Sequence, residues 1–83
     1  MNLDERSFLE DVGYRIRAWR THAKMSQAHL AELCGLHRTF IGGVERGQKN
    51  ISLLNLRLIA GKLRVKLSAL LPEGKLPPEE RAG

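Results

Sequence analysis

Eleven basic residues stand between Val12 and Leu71: Arg15, Arg17, Arg20, Lys24, Arg38, Arg46, Lys49, Arg57, Lys62, Arg64 and Lys66. Only Glu32 and Glu45 oppose them, so this middle stretch of sixty residues carries a formal +9 within a chain of +5 overall. A cationic surface of that density suits a polyanion, because arginine and lysine supply the donors that phosphates and base edges accept. Within it the run Gln27 to Arg46 (QAHLAELCGLHRTFIGGVER) has a spacing with a chemistry of its own. Arg38 can offer two donors to guanine O6 and N7, and Thr39 can hydrogen-bond a base or touch a thymine methyl. Other chemistries lack their residues. No nucleophile–base pair or phosphate-binding glycine loop is visible, and His22, His29 and His37 show no ligand spacing. The lone Cys34 cannot form an internal disulfide and has no base beside it. The chain therefore reads as a binding protein and not an enzyme, with no metal and no cofactor expected.

Helices must position these side chains. Between Ser7 and Leu71 there is no proline, and apolar residues recur at helical spacing. The first helix is expected from Ser7 to Thr21, with Phe8, Val12, Ile16 and Trp19 as its buried stripe. Ser26 reads as the N-cap of a second helix, Gln27 to Cys34, with Leu30, Leu33 and Cys34 inward and Gly35 as its stop. A third begins at His37 or Arg38, carries Ile41, Val44 and Glu45, and ends at Gly47. Ser52 opens a fourth, Leu53 to Leu63, with Leu56, Ile59, Ala60 and Leu63 on its apolar side. Val65, Leu67, Leu70 and Leu71 suit a short fifth. The expected fold is all-α, a compact five-helix bundle forming one domain over residues 1–71. Residues 72–83 are too polar and proline-rich to pack and read as a flexible C-terminal tail.

Two helices joined by a three- or four-residue turn cross steeply, and that crossing sets residue types. A small residue is needed where backbones approach (Ala31), a glycine at the turn (Gly35), an apolar plug after it (Leu36), and two apolar anchors three apart (Ile41 and Val44). This is a helix-turn-helix over residues 27–46, whose second helix enters the major groove. At this point the chain resembles the XRE/Cro/phage-repressor family, through Ile16-Arg17 with Arg20, Met25-Ser26-Gln27, Leu30-Ala31, Gly35, Ile41, Val44-Glu45-Arg46-Gly47, Leu56, Ala60 and Leu63. The stretch Arg38 to Arg46, followed by Lys49-Asn50, looks especially like the controller proteins of restriction–modification systems, homodimers that tune expression of their own and nuclease genes.

The resemblance implies roles for particular residues. Arg38, Thr39 and Phe40 would reach base edges, although Phe40 is equally suited to packing sideways on the bundle. Gln27 would place its amide on a phosphate. Arg46, Gln48, Lys49, Asn50 and Ser52 would meet the backbone on the other side, with His37 capping the helix or lying near a phosphate. Such contacts position a protein without reading sequence. Gly42 and Gly43 cost about 1 kcal/mol each against alanine in a helix interior. Relatives often carry a base-reading side chain at the position of Gly43. Its absence leaves two readings, a narrower contact set or a close approach of the helix backbone to DNA and its phosphates. Arg20 and Glu45 match a structural ion pair between the first helix and the end of the third.

A chain of 83 residues buries a small core and gains from a partner subunit. One recognition helix reads few base pairs, and two-fold pairing sets two such helices about 34 Å apart. Leu54, Arg57, Leu58, Leu67, Leu70 and Leu71 are the candidates for that contact. The expected function is sequence-specific transcriptional regulation by a homodimer on a near-palindromic operator in double-stranded DNA. An antitoxin-type module that binds a toxin is the alternative, disfavoured by the short tail. No membrane span, secretory signal or small-molecule ligand is expected, and the cytoplasm is the expected location.

Overall fold

The computed structural model describes residues 2–81, and every helix among them except one short 3-10 turn is α. Met1, at the start of the expected domain, and Ala82 and Gly83, at the end of the expected tail, lie outside the described residues. The order is α1 (Leu3–His22), α2 (Gln27–Cys34), α3 (Arg38–Glu45), α4 (Leu53–Leu63), the 3-10 turn Leu67–Leu70, and α5 (Pro78–Arg81). The short helix expected near Val65 is thus the 3-10 turn, and a further turn of helix stands where a tail was expected.

Local chemistry explains the starts. The Asn2 side chain accepts from the Glu5 amide at 2.8 Å, Ser26 from the His29 amide at 3.0 Å, and Ser52 from the Asn55 amide at 3.0 Å. Asp4 and Glu5 lie in the first turn of α1, where the helix dipole favours acids. Together with Asn2 they start α1 at Leu3 instead of Ser7. At the end of α2, Gly35 takes a left-handed φ of 66°, and the Leu36 amide donates back to Ala31 O at 2.9 Å. That reversal sends the chain into α3.

The core joins Val12 and Ile16 of α1, Leu30, Ala31 and Cys34 of α2, Ile41 and Val44 of α3, Leu56, Ile59, Ala60 and Leu63 of α4, and Leu70. Two expected core residues are corrected. Phe8 is 49% exposed and Leu33 40% exposed. In α2 the buried row runs through Leu30, Ala31 and Cys34, about a quarter turn from Leu33, whereas in α1 Phe8 lies on the row of Val12, Ile16 and Arg20 but one turn before Val12, where the core begins. Gly13 is buried beside that row. A Cβ there would lie 2.3 Å from the Val44 carbonyl oxygen and 2.6 Å from that of Glu45, so α1 crosses α3 in backbone contact.

The expectation of a loose tail is also corrected, because the segment through α5 lies along α1. Arg15 Nη1 donates to Gly74 O at 2.6 Å and Trp19 Nε1 to Lys75 O at 3.1 Å. Pro77 is fully buried, Tyr14 donates its hydroxyl hydrogen to the Glu80 carboxylate, and His22 Nδ1 lies 2.7 Å from Glu79 Oε1. Glu80 raises the Tyr14 pKa above its ordinary value by accepting that bond. The carbonyls of a proline-rich segment find few partners within it, and the donors spaced along α1 supply them. Among the described residues no helix is long and apolar enough to cross a membrane.

Candidate nucleic-acid interface

α3 divides cleanly along its length. Ile41 and Val44 point into the core, with Phe40 half-buried against the same cluster. On the opposite side, positions 38, 42 and 46 form one row and positions 39 and 43 the next, as residues four apart share a helix face. Arg38, Thr39 and Arg46 are exposed on it. His37 closes the amino end. Its Nδ1 accepts from the Thr39 amide at 3.2 Å and lies 2.7 Å from Thr39 Oγ1, which leaves the ring proton on Nε2 as a donor. No acid occupies the first turn of α2 or α3, so their free amides keep their full attraction for an anion.

Between the start of α2 and the outward side of α3 runs an open cleft of about 510 Å³, lined by Arg20, Ser26, Gln27, Ala28, Arg38, Thr39, Gly42 and Arg46. It brings together Gln27, Arg38, Thr39 and Arg46 of the expected DNA-binding residues. Gln48 stays beside it, with its Oε1 accepting from Arg46 Nε at 3.1 Å. Lys49 lies over Gly43, its Cγ 2.7 Å from where a Cβ would stand. Ser52 is engaged as the cap of α4. Asn50 lines a different depression, with Asp4, Glu5, Phe8 and Leu9. The cleft's glycine floor at Gly42 is a component that residue types alone did not mark.

A buried knot fixes the cleft's walls. Arg20 Nε donates to Glu45 Oε2 at 2.6 Å, and Arg20 Nη2 to Glu45 Oε1 at 3.0 Å. Arg20 Nη1 reaches Met25 O at 2.8 Å, and Gln27 Nε2 donates to Glu45 Oε1 at 2.9 Å. The Glu45 side chain is 2% exposed. One carboxylate thereby ties α1, the start of α2 and the end of α3. The Gln27 amide nitrogen, expected on a phosphate, gives one of its two hydrogens to this knot. Cys34 sits in the core, where burial pushes its thiol pKa up and keeps it protonated.

Away from the cleft, α4 exposes Leu53 at 68% and Leu54 at 70%, with Leu58 and Arg57 also exposed. Leu53 was not among the expected contact residues. Leu67 and Leu71 are half-buried against their own core. Leu70 is 0% exposed and is withdrawn from the subunit-contact candidates, since its whole side chain is used within its own chain.

The geometry is a pair of eight-residue helices joined by a three-residue turn, with Arg38 and Thr39 exposed at the amino end of the second, and the helix-turn-helix family model matches residues 16–70. The chain belongs to the XRE-type helix-turn-helix family. This helix-turn-helix protein is a DNA-binding regulator. It is similar to the crystal structure of the restriction-modification controller protein C.AhdI from Aeromonas hydrophila, with 43% identity and a TM-score of 0.76 over 78% of this chain and 98% of that one. Control protein C.SmaI of Serratia marcescens is 38% identical over 71 residues, 86% of this chain and 84% of the relative. The immunity repressor protein of Bacillus phage phi105 is 41% identical over 71 residues, 86% of this chain. The helix-turn-helix protein spans about half of that repressor's length, 49%.

Proposed function

We propose that the protein binds a near-palindromic operator as a homodimer and controls transcription there, with the expression of a restriction–modification operon as its target. The observation that carries this reading is the cleft itself: Arg38, Thr39, Arg46 and the start of α2 share one open, acid-free surface. Arg38 and Thr39 read base edges from the amino end of α3, and the amides of α2 with Arg46 hold the phosphate backbone. Likeness to two controller proteins over 98% of one and 84% of the other supports the operon assignment. Leu53, Leu54 and Leu58 give α4 an apolar outer side that a second copy covers.

Selection of bound duplexes from a random pool tests the reading, and a two-fold symmetric consensus is the expected result. On the selected operator Arg38→Ala lowers affinity by about 1–3 kcal/mol and relaxes preference at one base position in each half, while binding to unrelated duplexes changes little. Equal losses on operator and unrelated DNA would remove Arg38 from base reading. Leu54→Glu is expected to sediment as a single chain and to lose about a hundredfold or more in operator affinity, because paired half-sites act as a linked bivalent contact. A wild-type protein that sediments as a monomer and also binds singly to DNA overturns the homodimer.

A further inference from the structure

Two glycines on the outward side of a recognition helix leave two places without side chains, yet both places are filled. Gly42 and Gly43 are buried although they face away from the core. Arg46 Nη1 lies 3.2 Å from the missing Cβ of Gly42. Over Gly43 lies the stem of Lys49, with Cγ, Cε and Cδ at 2.7, 3.5 and 3.7 Å from the missing Cβ. The lysine is laid across the glycine along three of its methylenes, which an alanine at 43 would forbid. Its ammonium, one bond beyond Cε, has no hydrogen-bond or ion-pair partner among the described residues. Position 43 stands one turn beyond Thr39 on the same row of α3.

We infer that Lys49 is a specificity-determining residue, whose ammonium replaces the absent side chain of residue 43 and donates to a purine edge in the major groove. A lysine can donate to guanine O6 or N7 from this position, and the stem resting on Gly43 holds it there at little entropic cost. A phosphate contact from the loop would need neither the glycine nor the laid-down stem. The inference rests on the proposed operator reading and deepens it by one residue.

The test measures affinities of the wild type, Lys49→Ala, Gly43→Ala, the double variant and Arg38→Ala against the selected operator and each of its single-base-pair variants, over a range of salt. Lys49→Ala is expected to lose about tenfold on the operator and to lose its preference at one base pair, distinct from that affected by Arg38→Ala. Gly43→Ala is expected to reproduce that loss at the same base pair by pushing the stem aside. It keeps a cooperative melt, since alanine suits a helix better than glycine. The double variant should be no worse than Lys49→Ala alone. A Lys49→Ala protein that loses the same factor on every duplex, with a salt slope lower by about one, overturns the inference in favour of a phosphate contact. Multiplying losses in the double variant overturn it too. If Arg38→Ala also leaves every base preference intact, the operator reading itself falls, an outcome distinct from failure at Lys49 alone.

Discussion

Glu45→Ala is expected to destabilise the domain by about 3–5 kcal/mol, read as a fall in melting temperature or in denaturant midpoint. The carboxylate receives two bonds from Arg20 and one from Gln27, and its side chain is almost wholly enclosed. Without it the Arg20 guanidinium, itself buried, keeps only its bond to Met25 O and has no counter-charge. A domain of this size is stable by roughly 5–15 kcal/mol, so the loss consumes much of the margin. At roughly 4–8 °C per kcal/mol the melting point drops by more than about 12 °C. Glu45→Gln keeps the shape and one of the two acceptor oxygens while losing the charge, and is expected to fall between wild type and Glu45→Ala. A Glu45→Ala protein within about 1 kcal/mol of wild type would mean that Arg20 finds water in place of its partner.

Gly13→Ala is the second large effect, a destabilisation of about 3 kcal/mol or more measured by the same melts. The added methyl would stand 2.3 and 2.6 Å from two carbonyl oxygens of α3. Those are backbone atoms with no rotamer to change, so the helices themselves must part. The same substitution at Gly61 has the opposite sign. That glycine lies inside α4 with nothing within 4 Å of its missing Cβ, and alanine there should gain about 0.5–1 kcal/mol from helix propensity and reduced freedom of the unfolded chain. The pair separates glycine as a packing requirement from glycine as a helix weakness. Parting α1 from α3 also tilts the surface on which Arg38 stands, so Gly13→Ala should lose operator affinity in proportion to its lost stability.

What was legible in the residues was what local chemistry decides. Ser26, Ser52 and Gly35 announce helix ends because a hydroxyl or a left-handed φ acts within four residues, and the structure uses all three. The helix-turn-helix was legible for a related reason, since its steep crossing imposes small, glycine and apolar residues at close spacing. Facing was harder. Phe8, Val12 and Ile16 make one stripe by period, but the core assembled from distant elements reaches only as far as Val12, so Phe8 meets solvent. Distance along the chain likewise hid the use of Gln27 in the Glu45 knot and the seat of Lys49 on Gly43. The docking of the segment after Pro72 is not legible locally because its partners, Arg15 and Trp19, lie more than fifty residues earlier. Its own composition is mostly prolines, glycines and charges, with Leu76 the one large apolar residue.

The bond from the Trp19 indole to Lys75 O has a practical consequence. The chain holds a single tryptophan, whose ring also meets His22 edge-on at 5.5 Å, beside the carboxylate of Glu79. Emission excited at the red edge, where Tyr14 does not absorb, therefore comes from one fluorophore, placed where α1 meets the returning C-terminal segment and remote in sequence from α3. It is a gauge of whether that segment is seated. A spectral change on mixing with a duplex would accordingly report communication between the two regions, and a silent titration would report their independence.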